Sequence, residues 1–175
     1  MPSRFLRRLP AVLLCILTVS AFALAAPRGI GPSRLPDEAR SLAGITVVNL
    51  HVAPLPDAFL DAGATEQKVS DDAIRQLTEA GFEIARDPKH TPRLTFAVQV
   101  IPDLDIPDKT TFIAYLEVAQ SVRINRLDKQ FIVPTMTLTT AASKRSEQLR
   151  DELDDHVERL FKSFIDLESQ ASSRQ

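Results

Sequence analysis

Three histidines and a group of aspartates are the side chains in this 175-residue sequence best suited to chemistry, and their spacing decides how far that goes. His51, His90 and His156 stand far apart, and none belongs to an HExxH run or a comparable ligand pair. A helical zinc site is therefore not encoded. His156 follows Glu152 by four residues on a stretch with helical spacing, where a histidine half-covering the core is the ordinary reading. Asp103, Asp105 and Asp108 share one short loop, and three carboxylates so close could hold calcium. The loop lacks the turn glycine and the twelfth-position glutamate of the helix–loop–helix calcium motif, so a solvated acidic loop is preferred. There is no GxSxG, CxxC or SxxK, and the five glycines are too scattered to cradle a phosphate. No catalytic, cofactor-binding or metal-ligating residue is assigned. Triads assemble in space from distant residues, so this pattern argues against an enzyme without excluding one.

Composition bounds the rest. The chain is 44% hydrophobic and 25% charged, with twelve prolines and no tryptophan, which suits one globular domain. Arg4, Arg7 and Arg8 precede an apolar run from Ala11 to Leu24 that ends in Ala23-Leu24-Ala25. This pattern predicts a secretory signal peptide over residues 1–25, with the mature chain starting at Ala26. The run is shorter than the roughly 20 residues that span a bilayer, so no stable membrane anchor is expected after cleavage. Cys15, the only cysteine, lies inside the run and follows Leu14, which is too large for a lipoprotein cleavage site. The exported chain then has no disulfide, and a core must stabilise it alone. A mildly acidic mature chain has no general attraction for nucleic acid or anionic membranes.

The elements follow from periodicity. Residues 26–41 hold three prolines and two glycines and read as a linker. Ile45 to Val52 alternates and stops at Pro54 and Pro56, as a first strand does. Val69, Ala73, Ile74, Leu77 and Ala80 fall three and four apart with Gly81 just beyond, a helix with a C-terminal signal; Thr65, Ser70 and Asp71 are its candidate caps. Phe82 to Ala85 is a brief strand. Leu94, Phe96, Val98 and Val100 mark another. From Thr111 to Asn125, Phe112, Ala114, Leu116, Val118, Val122 and Ile124 share one face of a central strand, which predicts a covering layer over that face. Phe131 to Thr140 is the last strand, with Ile132, Pro134, Met136 and Leu138 on its apolar side. Pro134 cannot donate to a ladder, so this strand belongs at an edge or carries a bulge there.

The C-terminal helix is the clearest. Leu149, Leu153, Val157, Leu160, Phe161, Phe164, Ile165 and Leu167 make one stripe, with Ser146 as its expected cap. About 22 residues span about 33 Å, which matches a strand of about ten residues and predicts no overhang. Together these elements predict an α+β fold: a two-layer sandwich with a mostly antiparallel sheet of four to five strands and two helices on one face. The domain is expected over residues 42–168, followed by a disordered tail over 169–175. The second face is expected to carry Asn49, His51, Thr95, Gln99, Glu117, Ser121, Arg123, Thr135, Thr137 and Thr139, with Ile45, Val47, Ala97, Ile113, Tyr115 and Phe131 among them.

The segments Leu42-Ala43-Gly44-Ile45, Ala80-Gly81 and Phe164-Ile165, in that order, resemble a group of small exported bacterial proteins of unknown function over nearly the whole mature chain. More distantly, the layout is similar to the sheet-and-helix domains of auxiliary lipoproteins in outer-membrane transport and assembly systems. The resemblance implies a fold and an extracytoplasmic compartment, and no catalytic residues. The leading functional expectation is an exported, periplasmic or extracellular, non-catalytic domain that binds a partner protein at its second sheet face or at the edge strand. The alternative is a small-ligand or hydrolytic protein with a site where loops 54–64, 86–92 and 102–110 gather.

Overall fold

The computed structural model describes residues 35–87, 89, 92–102 and 108–174. The signal segment over residues 1–25 and the first part of the expected linker lie outside the described residues. The elements run α1 (Asp37–Arg40), β1 (Val47–Val52), α2 (Asp57–Asp61), α3 (Glu66–Glu79), β2 (Glu83–Ile84), β3 (Arg93–Ile101), β4 (Lys109–Ile124), β5 (Lys129–Arg145) and α4 (Leu149–Ser172). The strands form one five-stranded sheet in the order β2-β1-β3-β4-β5. β1 pairs in parallel with both β2 and β3, whereas β3, β4 and β5 form an antiparallel meander. The fold is α+β, and its sheet is mixed because α3 carries the chain back to lay β2 parallel to β1.

Local chemistry sets the helix boundaries. The Thr65 hydroxyl accepts from the Lys68 backbone N–H at 3.2 Å, so Thr65 rather than Ser70 or Asp71 caps α3. At the other end, the Gly81 N–H donates to the Thr78 carbonyl and the Phe82 N–H to the Leu77 carbonyl, at 3.0 and 2.9 Å. That is a Schellman closure. Gly81 sits at φ +92°, where a side chain is strained. The closure also drops Phe82 into the core beside Phe164, with ring centroids 5.5 Å apart.

The core lies between the sheet and the helices. Leu94, Phe96, Phe112, Ala114, Leu116 and Val118 from the sheet meet Leu77, Leu149, Leu153, Phe161 and Phe164 from α3 and α4, all fully buried. Phe59 of α2 stands edge-on to Phe112 at 4.9 Å. Apart from Phe59, which falls within the stretch expected as loop 54–64, these positions are the ones whose spacing of two or of three and four predicts an inward face.

The structure departs from the sequence reading in several places. Part of the linker is ordered: α1 buries Ala39, and the Ser41 carbonyl accepts from the Gln120 side chain at 3.0 Å. The expected tail is helical to Ser172, with Ala171 buried and the Ser172 hydroxyl accepting from the Gly44 N–H. Ser146 does not cap α4; a 3-10 turn over Ser146–Gln148 leads in, and no side chain caps the helix. Ile45 is in the core rather than on the second face.

The largest departure concerns coverage. β4 has 16 residues and β5 has 17, so β4 extends about 54 Å, whereas the 24 residues of α4 extend about 36 Å. The strands outlast the helix. A register shift between Val118 and Ala119 makes Thr135 the extra residue, since Val118 pairs with Met136 and Ala119 with Pro134. β5 is also the sheet edge, so Pro134 stands beside a bulge on an edge strand. The bulge exchanges the faces of β5. Met136 and Leu138 pack on the core, but Ile132 and Pro134 turn away from it and Phe131 takes the helix side.

Candidate interaction surface

The face of the sheet away from the helices carries no helix among the described residues. The pairing arranges its side chains in rows across the strands: Asn49, Arg93, Ala119 and Pro134; His51, Thr95, Glu117 and Thr137; Ala97, Tyr115 and Thr139; Gln99, Ile113 and Ala141. Tyr115 and Ile113 are half-buried at its centre, while Thr137, Thr139 and Ala141 are exposed toward the edge. Asn49 is the exception, buried because its amide donates to the Ala85 carbonyl at 3.1 Å where the chain crosses from β2 to β3. His51 and Glu117 share a row but are two strand spacings apart, about 9.6 Å. An acid–base pair needs direct or one-water contact, so this row does not form one.

The β4–β5 ribbon leaves this body beyond the Ala119–Pro134 pair. Every residue from Ser121 to Ile132 is exposed. Val122 (38%), Ile124 (37%), Leu127 (49%), Phe131 (39%) and Ile132 (54%) are large apolar side chains in water. Val122 pairs with Phe131, so these two and Ile124 continue the helix-side face; Ile132 pairs with Ser121 on the opposite face, and Leu127 lies in the turn. Asp128 closes the turn at φ +49° and accepts an ion pair from Arg123.

Two polar clusters bind the helices to the rest. Lys68 Nζ donates to Asp154 at 2.5 Å and lies 3.4 Å from Asp72, joining α3 to α4. The Asp154 hydrogen bond raises the Lys68 pKa, and Arg75 holds Asp72 below its usual value. In the second cluster, Lys144 of β5 reaches Glu152 at 2.8 Å, and Glu152 meets His156 Nε2 at 3.1 Å. His156 is fully buried and edge-on to Phe112, with ring centroids 5.1 Å apart. Burial lowers its pKa, so the neutral ring donates from Nε2, and Nδ1 has no partner among the described residues. The Lys144 hydrogen bond lowers Glu152. The cluster ties β5 to α4, with only His156 buried and Lys144 reaching it from the surface.

A groove of about 460 Å³ runs between α3 and α4, lined by Arg75, Gln76, Glu79, Glu158, Lys162 and Ile165. Its charges are mixed, and Arg75 is already engaged by Asp72 at 3.0 Å and Glu79 at 3.9 Å. The loop site proposed from sequence does not assemble. β3 spans nine residues, about 30 Å, and β1 runs parallel to it, so the chain after β1 and the chain after β3 leave at one end of the sheet while the chain before β3 enters at the other, and the three loops do not meet on one rim. Loop 54–64 itself folds into α2 and buries Phe59. His90, Asp103 and Asp105 lie outside the described residues, and no group of three His, Cys, Asp or Glu side chains suited to a metal occurs among the described ones.

Sequence reasoning missed the ribbon end. It placed Val122 and Ile124 under a covering layer, but the alternating stretch Thr111 to Asn125, about 15 residues or about 51 Å, is longer than the helix of about 33 Å expected to cover it. That length was the available signal.

No family profile matches the chain, and no curated protein matches it in sequence. Among solved structures it is similar to a minor lipoprotein of Acinetobacter baumannii, at 16% identity over 75% of this chain and 91% of that one, with a TM-score of 0.28. It is also similar to the rare lipoprotein B of Shewanella oneidensis, at 12% identity over 73% and 96% with a TM-score of 0.28. A third match is a chain described as a lipoprotein of Caulobacter crescentus, at 9% identity over 78% and 97% with the same TM-score. All three are described as lipoproteins of bacteria. At this TM-score the likeness transfers no function. No helix among the described residues is long and apolar enough to cross a membrane.

Proposed function

We propose that this chain is an exported, envelope-associated, non-catalytic module that binds a partner protein over its open sheet face and the adjoining edge of β5. The observation that carries this reading is the open face itself. Threonines around Tyr115 and Ile113 form a half-apolar platform that ends at a 17-residue edge strand. Such a platform suits an extended segment laid along β5, with backbone hydrogen bonds to the edge and side chains over the threonines. The charged leader and apolar run of the sequence support the exported compartment. Thr137, Thr139 and Ala141 lie at the junction of face and edge.

A photo-crosslinker at Thr139, in exporting cells, is expected to capture a defined protein, while one at Asp155 on the outer side of α4 captures none. Thr139→Arg is expected to abolish co-purification of the same protein without moving the denaturation midpoint. Equal labelling from both positions, or none from Thr139, overturns the reading.

A further inference from the structure

We propose that the bare end of the β4–β5 ribbon, Ser121 to Ile132, is a membrane-contacting element that seats its apolar side chains in the interface of an anionic phospholipid bilayer. The inference does not rest on the protein-binding reading, because it concerns the ribbon end beyond the Ala119–Pro134 pair, whereas that reading centres on Thr137, Thr139 and Ala141. Its first support is the disposition of the apolar residues. Val122, Ile124 and Phe131 lie on one face of the ribbon, Ile132 on the other and Leu127 in the turn between them. A flat protein surface covers one face of a ribbon and leaves the other wet. A lipid interface surrounds the ribbon and covers both.

The second support is charge. In a chain of net charge -2, this twelve-residue stretch carries Arg123, Arg126 and Lys129 against Asp128 alone. Lys129 pairs with Ile124 on the helix-side face, Arg123 pairs with Gln130 on the other, and Arg126 is in the turn, so cations, like apolar groups, occur on every side. Interleaved apolar and basic side chains at one protruding end match acyl boundary and acidic headgroups together. The acidic remainder of the chain is repelled by the same surface, which leaves the ribbon end as the point of contact.

The chain has no tryptophan, so Phe131→Trp is a clean reporter. The full chain carrying this substitution is mixed with vesicles of phosphatidylcholine alone or with 30% phosphatidylglycerol. Emission is expected to shift to the blue and sedimentation to occur only with the acidic vesicles, with binding falling as salt rises. In the same background Arg123→Gln/Arg126→Gln/Lys129→Gln is expected to weaken binding on the order of a hundredfold at low salt. Ile132→Ser/Leu127→Ser is expected to bind weakly and leave the tryptophan in water. All these positions are exposed, and an unchanged denaturation midpoint confirms folding. Binding that is unaffected by either set of changes places the contact elsewhere, in the leader run for example, and overturns the proposal. So does indifference to acidic vesicles, including the case in which the ribbon variants instead lose a crosslinked protein. Loss of crosslinking from Thr139 with vesicle binding intact would remove the protein-binding reading and leave this one standing.

Discussion

β4 carries one apolar alternation from Phe112 to Ile124, interrupted only by Gln120, yet its two halves meet different surroundings. Phe112, Ala114, Leu116 and Val118 are fully buried under α3 and α4, while Val122 and Ile124, next in the same series, are more than a third exposed. Alternation therefore reports which face a side chain takes and says nothing about whether that face is covered. Coverage depends on the length of the opposing layer, and here α4 is about 18 Å shorter than the strand, by the difference of the two rises. The covered half supplies stability. The bare half is free to take up another surface.

The sharpest way to break this contrast is Phe164→Ala. The ring is fully buried against Phe82, and its loss is expected to cost about 3 to 5 kcal/mol. That is a large part of the roughly 5 to 15 kcal/mol of a typical domain, so the variant is expected to be unfolded or barely folded at 37 °C. Asp155→Ala, on the exposed side of the same helix, is expected to change stability by less than about 1 kcal/mol. Chemical denaturation compares them, and equal midpoints would mean that α4 does not pack on the sheet.

A second prediction concerns pH. Burial lowers the folded-state pKa of His156 below its ordinary 6.5, so the unfolded chain takes up the proton first as the pH falls. Stability is then lost from about pH 6.5 downward until the folded-state value is reached. Glu152, lowered from 4.5 by Lys144, adds a separate loss at more acid pH. Denaturation midpoints of His156→Gln followed from pH 7.5 to 5 are expected to show a flatter profile than wild type. A profile of unchanged slope removes His156 as its cause.

Smaller effects belong to the boundary and to the bare end. Thr135 accepts from the Gln120 side chain at 2.9 Å and donates to the Val118 carbonyl at 3.2 Å, holding the bulge that marks where coverage stops. Thr135→Val is expected to cost about 1 kcal/mol per hydrogen bond lost, read from the denaturation midpoint. Phe131→Ser on the ribbon is expected to shift that midpoint by less than about 0.5 kcal/mol. A shift as large as that of Phe164→Ala would show that the ribbon end is part of the core after all.

Much of the architecture was legible because spacing encodes it. The α3 stripe, Gly81, the inward faces of β1, β3 and β4, and the edge position announced by Pro134 all follow from local rules. What was not legible depended on distant partners. One extra residue at Thr135 reversed the faces of Phe131 and Ile132, and the sequence marks a bulge near a proline without saying on which side of it. Ala39 and Ala171 looked like parts of a linker and a tail because so small a side chain gives little apolar signal. The loop site failed for a related reason: loops on either side of one strand were grouped before the strand's direction in the sheet was known.

The parallel seat of β1 between β2 and β3 also has a consequence for how the chain folds. β3 and β4 meet across a short connection and β4 and β5 across a tight turn, whereas β1 pairs with β3 only after about 44 intervening residues have been gathered in. Closing the larger loop is slower, so the meander forms early and Ile45 to Val52 waits as an unpaired, apolar, aggregation-exposed segment. Pulse-labelled hydrogen exchange during refolding is expected to protect β4 and β5 before β1. Under the export proposed above, with the amino terminus crossing first, the strand that emerges earliest is the one that must wait longest for its neighbours.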